Sequence, residues 1–218
     1  MTTICGSAAE AVSGIEDGST VLVGGFGLAG MPVALVEALI DQGATDLTVV
    51  SNNAGNGDTG LAALLAARRV RKVVCSFPRQ SDSWVFDGLY RAGEIELELV
   101  PQGNLAERMR AAGAGIGAFY CPTGVGTPLA EGKETREING RTHVLEHPIA
   151  GDVALIAAHR ADRMGNLVYR RTARNFGPVM ATAATTTIAQ VREIVEIGEL
   201  DPETVVTPGI YVNRVVAA

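Results

Sequence analysis

The chain has 218 residues, a length that suits one domain, 1–218, with a sizeable core. Apolar residues make up 47%, with 26 glycines and few aromatics, as in an Ala/Val/Gly-rich α/β protein. The net charge is −6 with no basic block, which argues against nucleic acid as a partner, because binding its backbone needs clustered cations. Cys5, Cys75 and Cys121 are an odd number without close spacing, so they form no disulfide framework or zinc pattern and suit a reducing compartment. The N-terminus, Met1–Cys5, lacks the charged and apolar regions of a signal peptide, and no apolar run approaches membrane-spanning length. The expectation is a soluble, cytoplasmic protein with no membrane, metal or bound cofactor.

In chain order, Thr20–Gly24 reads as the first strand. It stops at a glycine-rich turn, Gly24-Gly25-Phe26-Gly27-Leu28-Ala29-Gly30-Met31. A helix from about Pro32 to Gln42 follows, with Pro32 in its first turn, Gly43 at its stop, and Leu35, Val36, Leu39 and Ile40 on one face. Next come strand Leu47–Ser51, the polar turn 52–58, and a helix over Thr59–Arg68 with Asp58 as its N-cap. Strand Val70–Ser76 leads to loop Pro78–Ser83 and a helix through Tyr90. Strand Leu97–Val100 leads to Pro101-Gln102-Gly103-Asn104 and a helix through Ala111. Four strand–helix units in series imply a mostly parallel sheet flanked by helices.

The second half reads as more β-rich. Its candidate strands are His143–Glu146, Val153–Ala158, Leu167–Arg170, Thr185–Val191 and Ile210–Val216. The stretch 113–126 has five glycines and reads as irregular, and Asn139-Gly140 reads as a hairpin turn. In open α/β sheets, ligands sit outside the carboxyl ends of the strands. The four loops that follow the first four strands are therefore expected to converge on one site.

Gly25-x-Gly27-x-x-Gly30 invites a dinucleotide reading. That reading needs an acidic residue at the end of the second strand, but the strand ends in Ser51-Asn52, and Asp46 lies at its other end. His143 and His147 would span about 13 Å along a strand, too far for one metal ion. Cys75 and Cys121 read as buried structural thiols, since no histidine is placed by sequence to activate either. Arg160, Arg163, Arg170, Arg171 and Arg174 make a basic-rich segment. It is either a solvated surface or a contact for carboxylates, phosphates or a partner subunit.

Taken together, the loops resemble the α subunit of the class I 3-oxoacid CoA-transferases. The segments that carry the resemblance are 24–32, Ser51-Asn52-Asn53-Ala54-Gly55, Val100-Pro101-Gln102-Gly103-Asn104-Leu105-Ala106-Glu107-Arg108, Gly124-Val125-Gly126-Thr127, 165–169, Ala173-Arg174-Asn175-Phe176 and Thr207-Pro208-Gly209-Ile210. They run in order over nearly the whole chain. The segments 56–58 and 75–83 look most like the family's 3-oxoadipate members.

The resemblance implies an α/β fold related to the sugar-phosphate isomerase-like folds. It also implies a ping-pong transfer of CoA from succinyl-CoA to a 3-oxo acid through a glutamyl-CoA intermediate. The nucleophilic glutamate sits in the family's β subunit, and this chain has no contiguous Glu-Asn-Gly. A hetero-oligomer such as α₂β₂ is therefore implied, with this chain supplying walls of the site. Gln102 is the candidate supporting catalytic residue. Gly25, Phe26, Gly27, Asn52 and Asn53 are candidates for the acyl pocket, with turn chemistry an equal reading of the two asparagines, and Arg79 for a distal substrate carboxylate. The same residues leave open acetoacetate as the acceptor, a non-catalytic ligand-binding domain of the same fold, or an NAD-dependent oxidoreductase.

Overall fold

The computed structural model describes residues 2–218. In chain order the elements are β1 (Thr3–Cys5), α1 (Ala8–Ala11), β2 (Thr20–Val23), α2 (Val33–Gln42), β3 (Leu47–Val50), α3 (Leu61–Ala66), β4 (Val70–Cys75), α4 (Trp84–Arg91), β5 (Glu96–Leu99) and α5 (Gln102–Gly113). Then come β6 (Phe119–Cys121), β7 (Thr135–Ile138), β8 (Arg141–Glu146), β9 (Gly151–Ala157), β10 (Arg160–Asp162), β11 (Leu167–Val168), α6 (Gly177–Ala183), β12 (Ala184–Val191), β13 (Glu193–Val195) and β14 (Arg214–Ala217). Eight strands form one sheet in the order β1-β14-β12-β9-β2-β3-β4-β5, and every neighbouring pair in it is parallel.

Alternation along the strands divides the core in two. Val21, Val23, Val49, Val73 and Leu155 join the cluster that packs under α1 to α4. Leu22, Val50, Val74, Ala154 and Ile156 join the cluster under α5 and α6. Side chains two apart share a face, and both faces are covered by helices. The central strands therefore have to be apolar throughout. Truncating Leu22 or Leu155, both fully buried, would cost about 2–5 kcal/mol.

The expected layout holds, with corrections at several boundaries. The helix expected over Thr59–Arg68 is only Leu61–Ala66, and Gly60, not Asp58, stands at its start. Gly55, Gly57 and Gly60 all take positive φ, so the chain keeps turning until Gly60. The strand expected at Ile210–Val216 is split into a 3₁₀ turn, Gly209–Tyr211, and β14. Gly209 is pressed against the Met164 carbonyl, and Asn166 Oδ1 accepts from its N–H at 2.9 Å. Strand Leu167–Arg170 ends at Val168, before Arg171 turns into positive φ.

The glycine-rich stretch 113–126 contains β6, and α6 and β1 were not expected at all. The second half is also less separate than its β-rich sequence suggests, since β9, β12 and β14 complete the main sheet. The antiparallel part reduces to the sheet β6-β8-β7 and the β10–β11 pair. In the former, Asn139 and Gly140 at φ 51° and 72° make the expected hairpin turn.

Candidate active site

Strand order reverses between β2 and β9. From β2 the chain builds outward through β3, β4 and β5, and it later returns to lay β9 against the other side of β2. The carboxyl ends beside such a switch point form the natural ligand crevice. The loop after β2 rises from this point and separates two concave regions.

The first lies over β3, β4 and β5. Here Phe26, Asn52, Ser76, Phe77, Arg79 and Gln102 line one cavity of about 880 Å³. Loops from four successive strands thus meet, as the sequence led us to expect. Asn52 is buried, and its Oδ1 accepts from Gln102 Nε2 at 2.8 Å and from Ser76 Oγ at 2.8 Å. Its carbonyl accepts from the N–H groups of Ser76 and Phe77 at 3.2 and 3.1 Å. Gln102 is the first residue of α5 and is exposed; one of its two amide hydrogens goes to Asn52 and the other is left for a ligand. Asn53 faces inward instead. Its Oδ1 accepts from Gly55 N at 3.0 Å and closes the turn, so it stabilises the loop rather than lining the cavity. Arg79 stands at the rim, with its Nε 2.7 Å from Asp87 Oδ1.

The glycine loop is shaped by different constraints at each glycine. The Gly25 N–H donates to Asn175 Oδ1 at 3.1 Å, and the Phe26 N–H to the Ala29 carbonyl at 3.0 Å. The Gly27 N–H has no partner among the described residues. Gly27 has φ 59° and open space where a side chain would go, whereas a Cβ on Gly30 would lie 2.1 Å from the Ala173 carbonyl oxygen. Asn175 ties this contact together, with Nδ2 donating to Ala29 O at 2.8 Å and Oδ1 also accepting from Phe176 N at 2.7 Å. Sequence reasoning gave Asn175 no role of its own. The only signal was the segment Ala173–Phe176, which could not show that it reaches back across 150 residues.

Gln102 and Phe26 also border a second cavity of about 690 Å³, between α5, α6 and residues 206–211. Phe26, Leu28 and Phe77 are 50%, 70% and 58% exposed, so the cleft has apolar side chains facing solvent on its open side.

Two expected exclusions gain a physical reason. A dinucleotide would place its pyrophosphate on the first N–H groups of α2, but those of Ala34 and Leu35 donate to Gln190 Oε1 at 3.0 and 3.4 Å, and that of Val33 to Met31 O at 3.0 Å. Cys75 is fully buried, and burial pushes its thiol pKa up to about 12, so it is no nucleophile at neutral pH. Cys121 is only half-buried, contrary to expectation, and its Sγ contacts Asn104 Oδ1 at 3.3 Å.

Behind the cleft, buried Glu146 binds Lys133 Nζ at 2.7 Å and Asn104 Nδ2 at 3.1 Å. This ties β8 to the first turn of α5, two residues from Gln102. The separation of these residues in sequence hid the connection.

Fold and cleft together define an α/β protein with a concave site along the carboxyl edge of its sheet, where Asn52, Ser76, Arg79 and Gln102 come together. The chain belongs to the coenzyme A transferase family, whose model matches residues 6–218. It is 71% identical over 211 residues to a 3-oxoadipate CoA-transferase subunit of Pseudomonas putida, covering 97% of this chain and 91% of that one. It is 55% identical over 202 residues to a succinyl-CoA:3-ketoacid coenzyme A transferase subunit of Xanthomonas campestris pv. campestris, covering 93% and 83%. Among solved structures it superposes on an acyl-CoA transferase from Escherichia coli O157:H7 with a TM-score of 0.87 at 25% identity. The whole of this chain is covered there but only 47% of the other, so it spans about half the length of that enzyme. Family and fold both agree with the resemblance read from the loops.

Proposed function

We propose that the chain is the α subunit of a succinyl-CoA:3-oxoadipate CoA-transferase and acts only with a partner β subunit. The observation that carries this reading is the converged cleft, in which Gln102, Asn52 and the glycine loop present donors and no carboxylate lines the cavity that Gln102, Asn52 and Phe26 share. Support for the acceptor comes from identity, which is 71% to the 3-oxoadipate relative and 55% to the 3-ketoacid relative. Each relative is named as one subunit of its enzyme. The exposed Phe26, Leu28 and Phe77 are where we seat the partner. We take 1–218 as one functional unit in an α₂β₂ assembly, working in the reducing cytoplasm.

In this reading a glutamate of the β subunit attacks the succinyl-CoA carbonyl. CoA leaves as the thiolate, and a mixed anhydride forms. The thiolate then attacks the glutamyl carbonyl, releasing succinate and leaving glutamyl-CoA. The carboxylate of 3-oxoadipate attacks in turn, and reversal of the same two steps yields 3-oxoadipyl-CoA and the free glutamate. Each addition puts negative charge on a carbonyl oxygen. The free amide hydrogen of Gln102 and the N–H of Gly27 stabilise that charge without competing as bases. Asn52 fixes the Gln102 amide. Gly25 and Phe26 shape the acyl pocket, with Gly25 held by Asn175. Arg79, whose terminal nitrogens are not engaged by Asp87, takes the distal carboxylate of the acceptor.

Assay of the co-expressed pair on an acceptor panel tests the reading. We expect CoA transfer from succinyl-CoA with kcat/KM higher for 3-oxoadipate than for acetoacetate. A preference for acetoacetate would move the chain to the 3-ketoacid branch.

A further inference from the structure

Gln102 is held from two directions, and only one of them belongs to the cleft. Asn52 fixes its amide, but the backbone beneath it is the first turn of α5, which has little of its own to keep it wound. Pro101 stands at the N-cap without a side-chain hydrogen bond, and the turn contains no acidic residue. An uncapped first turn frays readily, because its N–H groups have no partner within the helix. Gln102 and Gly103 are both exposed, so packing does not hold the turn there either.

The other hold comes from behind. Asn104 and Arg108 lie four apart, on one face of α5, and both meet the end of β8 and the residues after it. Asn104 is buried. Its Nδ2 donates to Glu146 Oε1 at 3.1 Å, and Cys121 Sγ on β6 donates to its Oδ1 at 3.3 Å. Arg108 Nε donates to the His147 carbonyl at 2.6 Å, and the Ile149 N–H donates to the Arg108 carbonyl at 3.0 Å. The antiparallel sheet thus grips the first turns of α5 through polar bonds. Glu146 is the centre of that grip. It is 2% exposed, with Lys133 Nζ at 2.7 Å and Arg108 Nε at 3.8 Å. A buried carboxylate among cations contributes little net stability, and an apolar set of the same volume often does as well. What it adds over an apolar contact is direction, since a charged acceptor holds its donor at a defined distance and angle.

We propose that Glu146, acting through Asn104, is a positioning residue that sets where the Gln102 amide stands in the cleft. The inference rests on the transferase reading for the role of Gln102. Lys133 is the counter-charge and Asn104 the link. Gln102 then has its side chain aimed by Asn52 and its backbone aimed by Glu146. A donor displaced by about an ångström loses much of its effect on a reacting oxygen.

The test uses the complex of both subunits. Glu146→Gln leaves one carbonyl oxygen, which Lys133 takes, and the link to Asn104 is lost. We expect kcat to fall about tenfold, with KM for succinyl-CoA changed by less than about twofold. In the Gln102→Ala background the same change should lower kcat no further, because residues that act as a unit are not additive. A residue that only supports the fold would lower kcat by the same factor in both backgrounds. Glu98→Gln, which releases Arg108 further along the same helix, should leave kcat unchanged. Hydrogen exchange gives a readout apart from activity. The Leu105 N–H, which donates to the Pro101 carbonyl at 2.8 Å, should exchange about tenfold faster in Glu146→Gln. Asn104→Ala keeps the Lys133–Glu146 pair and carries the same predictions, so it replaces Glu146→Gln if that variant does not fold. An unchanged kcat, an equal loss in the Gln102→Ala background, a loss in Glu98→Gln as large as in Glu146→Gln, or unchanged exchange at Leu105 overturns the proposal. If the unaltered complex transfers no CoA yet Glu146→Gln still speeds exchange at Leu105, the transferase reading fails and the hold on α5 stands.

Discussion

Over β3 to β5, Asn52, Ser76 and Gln102 are hydrogen-bonded to one another, whereas over β9 and β12 Arg170, Arg171 and Arg192, with Arg174 in the adjoining hollow, have no partner among the described residues. Both regions lie at the same edge of the same sheet, with one glycine loop between them. In the first, Asn52 holds the Gln102 amide and Asp87 pairs with the one cation, Arg79, so these groups are fixed before a ligand arrives. That suits stabilising charge which appears only during reaction. The second carries fixed charge that nothing among the described residues compensates. The contrast sets a region of mutually held amides beside a region of unpaired guanidinium groups at one sheet edge.

Several changes would break or sharpen this contrast. The largest effect should come from Gly30→Ala, which damages the loop both flanks share. Its φ is 74°, and its Cβ would lie 2.1 Å from the Ala173 carbonyl. A loss of about 3 kcal/mol is expected from urea unfolding. Gly27→Ala, with similar φ but open space, should lose only about 1 kcal/mol. Gln102→Ala should lower kcat of the complex about a hundredfold with the unfolding midpoint unchanged, because the side chain is exposed. Arg79→Ala should raise KM for 3-oxoadipate about tenfold and leave KM for acetoacetate alone. An unchanged 3-oxoadipate KM would make Arg79 an ordinary surface residue.

The smallest effect belongs to Glu98, at the outer edge of the β3–β5 side. Burial works against its charge, but hydrogen bonds from Lys72 at 2.6 Å and Arg108 at 3.1 Å outweigh it and hold the carboxyl below its ordinary value. A depressed pKa stabilises the fold at pH above the unfolded-state value and ceases to do so as pH falls through the folded-state value. The stability difference between the native protein and Glu98→Gln should therefore be constant from neutral pH to about 4.5 and shrink below it.

The run from β2 to β3 was legible because Val21–Val23 and Val49–Val50 are apolar and α2 is bracketed by Pro32 and Gly43; β4 and β5, which include Arg71, Lys72, Glu96 and Glu98, were legible from their place in the strand–helix alternation. The antiparallel pieces and α6 were less so. β6 and β11 are two or three residues long, and α6 opens on Gly177-Pro178, so tertiary contacts rather than local pattern define them. In the cleft, the meeting of Phe26, Asn52, Arg79 and Gln102 followed from strand–loop order alone. For Asn53 the turn reading is the one its geometry favours, because an asparagine in a turn serves its own backbone as readily as a ligand. Asn175 and Glu146 were hidden for another reason. Each acts through a partner far away in sequence, and periodicity carries no trace of such a pairing. The arginine cluster was visible as a basic segment, but which of its members are neutralised depends on β10 lying beside β13.

The central claim is that this chain builds walls of the site and supplies no nucleophile. Intact-mass measurement of both subunits, after brief incubation of the complex with succinyl-CoA, tests it most directly. We predict a CoA adduct on the β subunit and none on this chain. An adduct on this chain, or transfer by this chain alone, would contradict the claim.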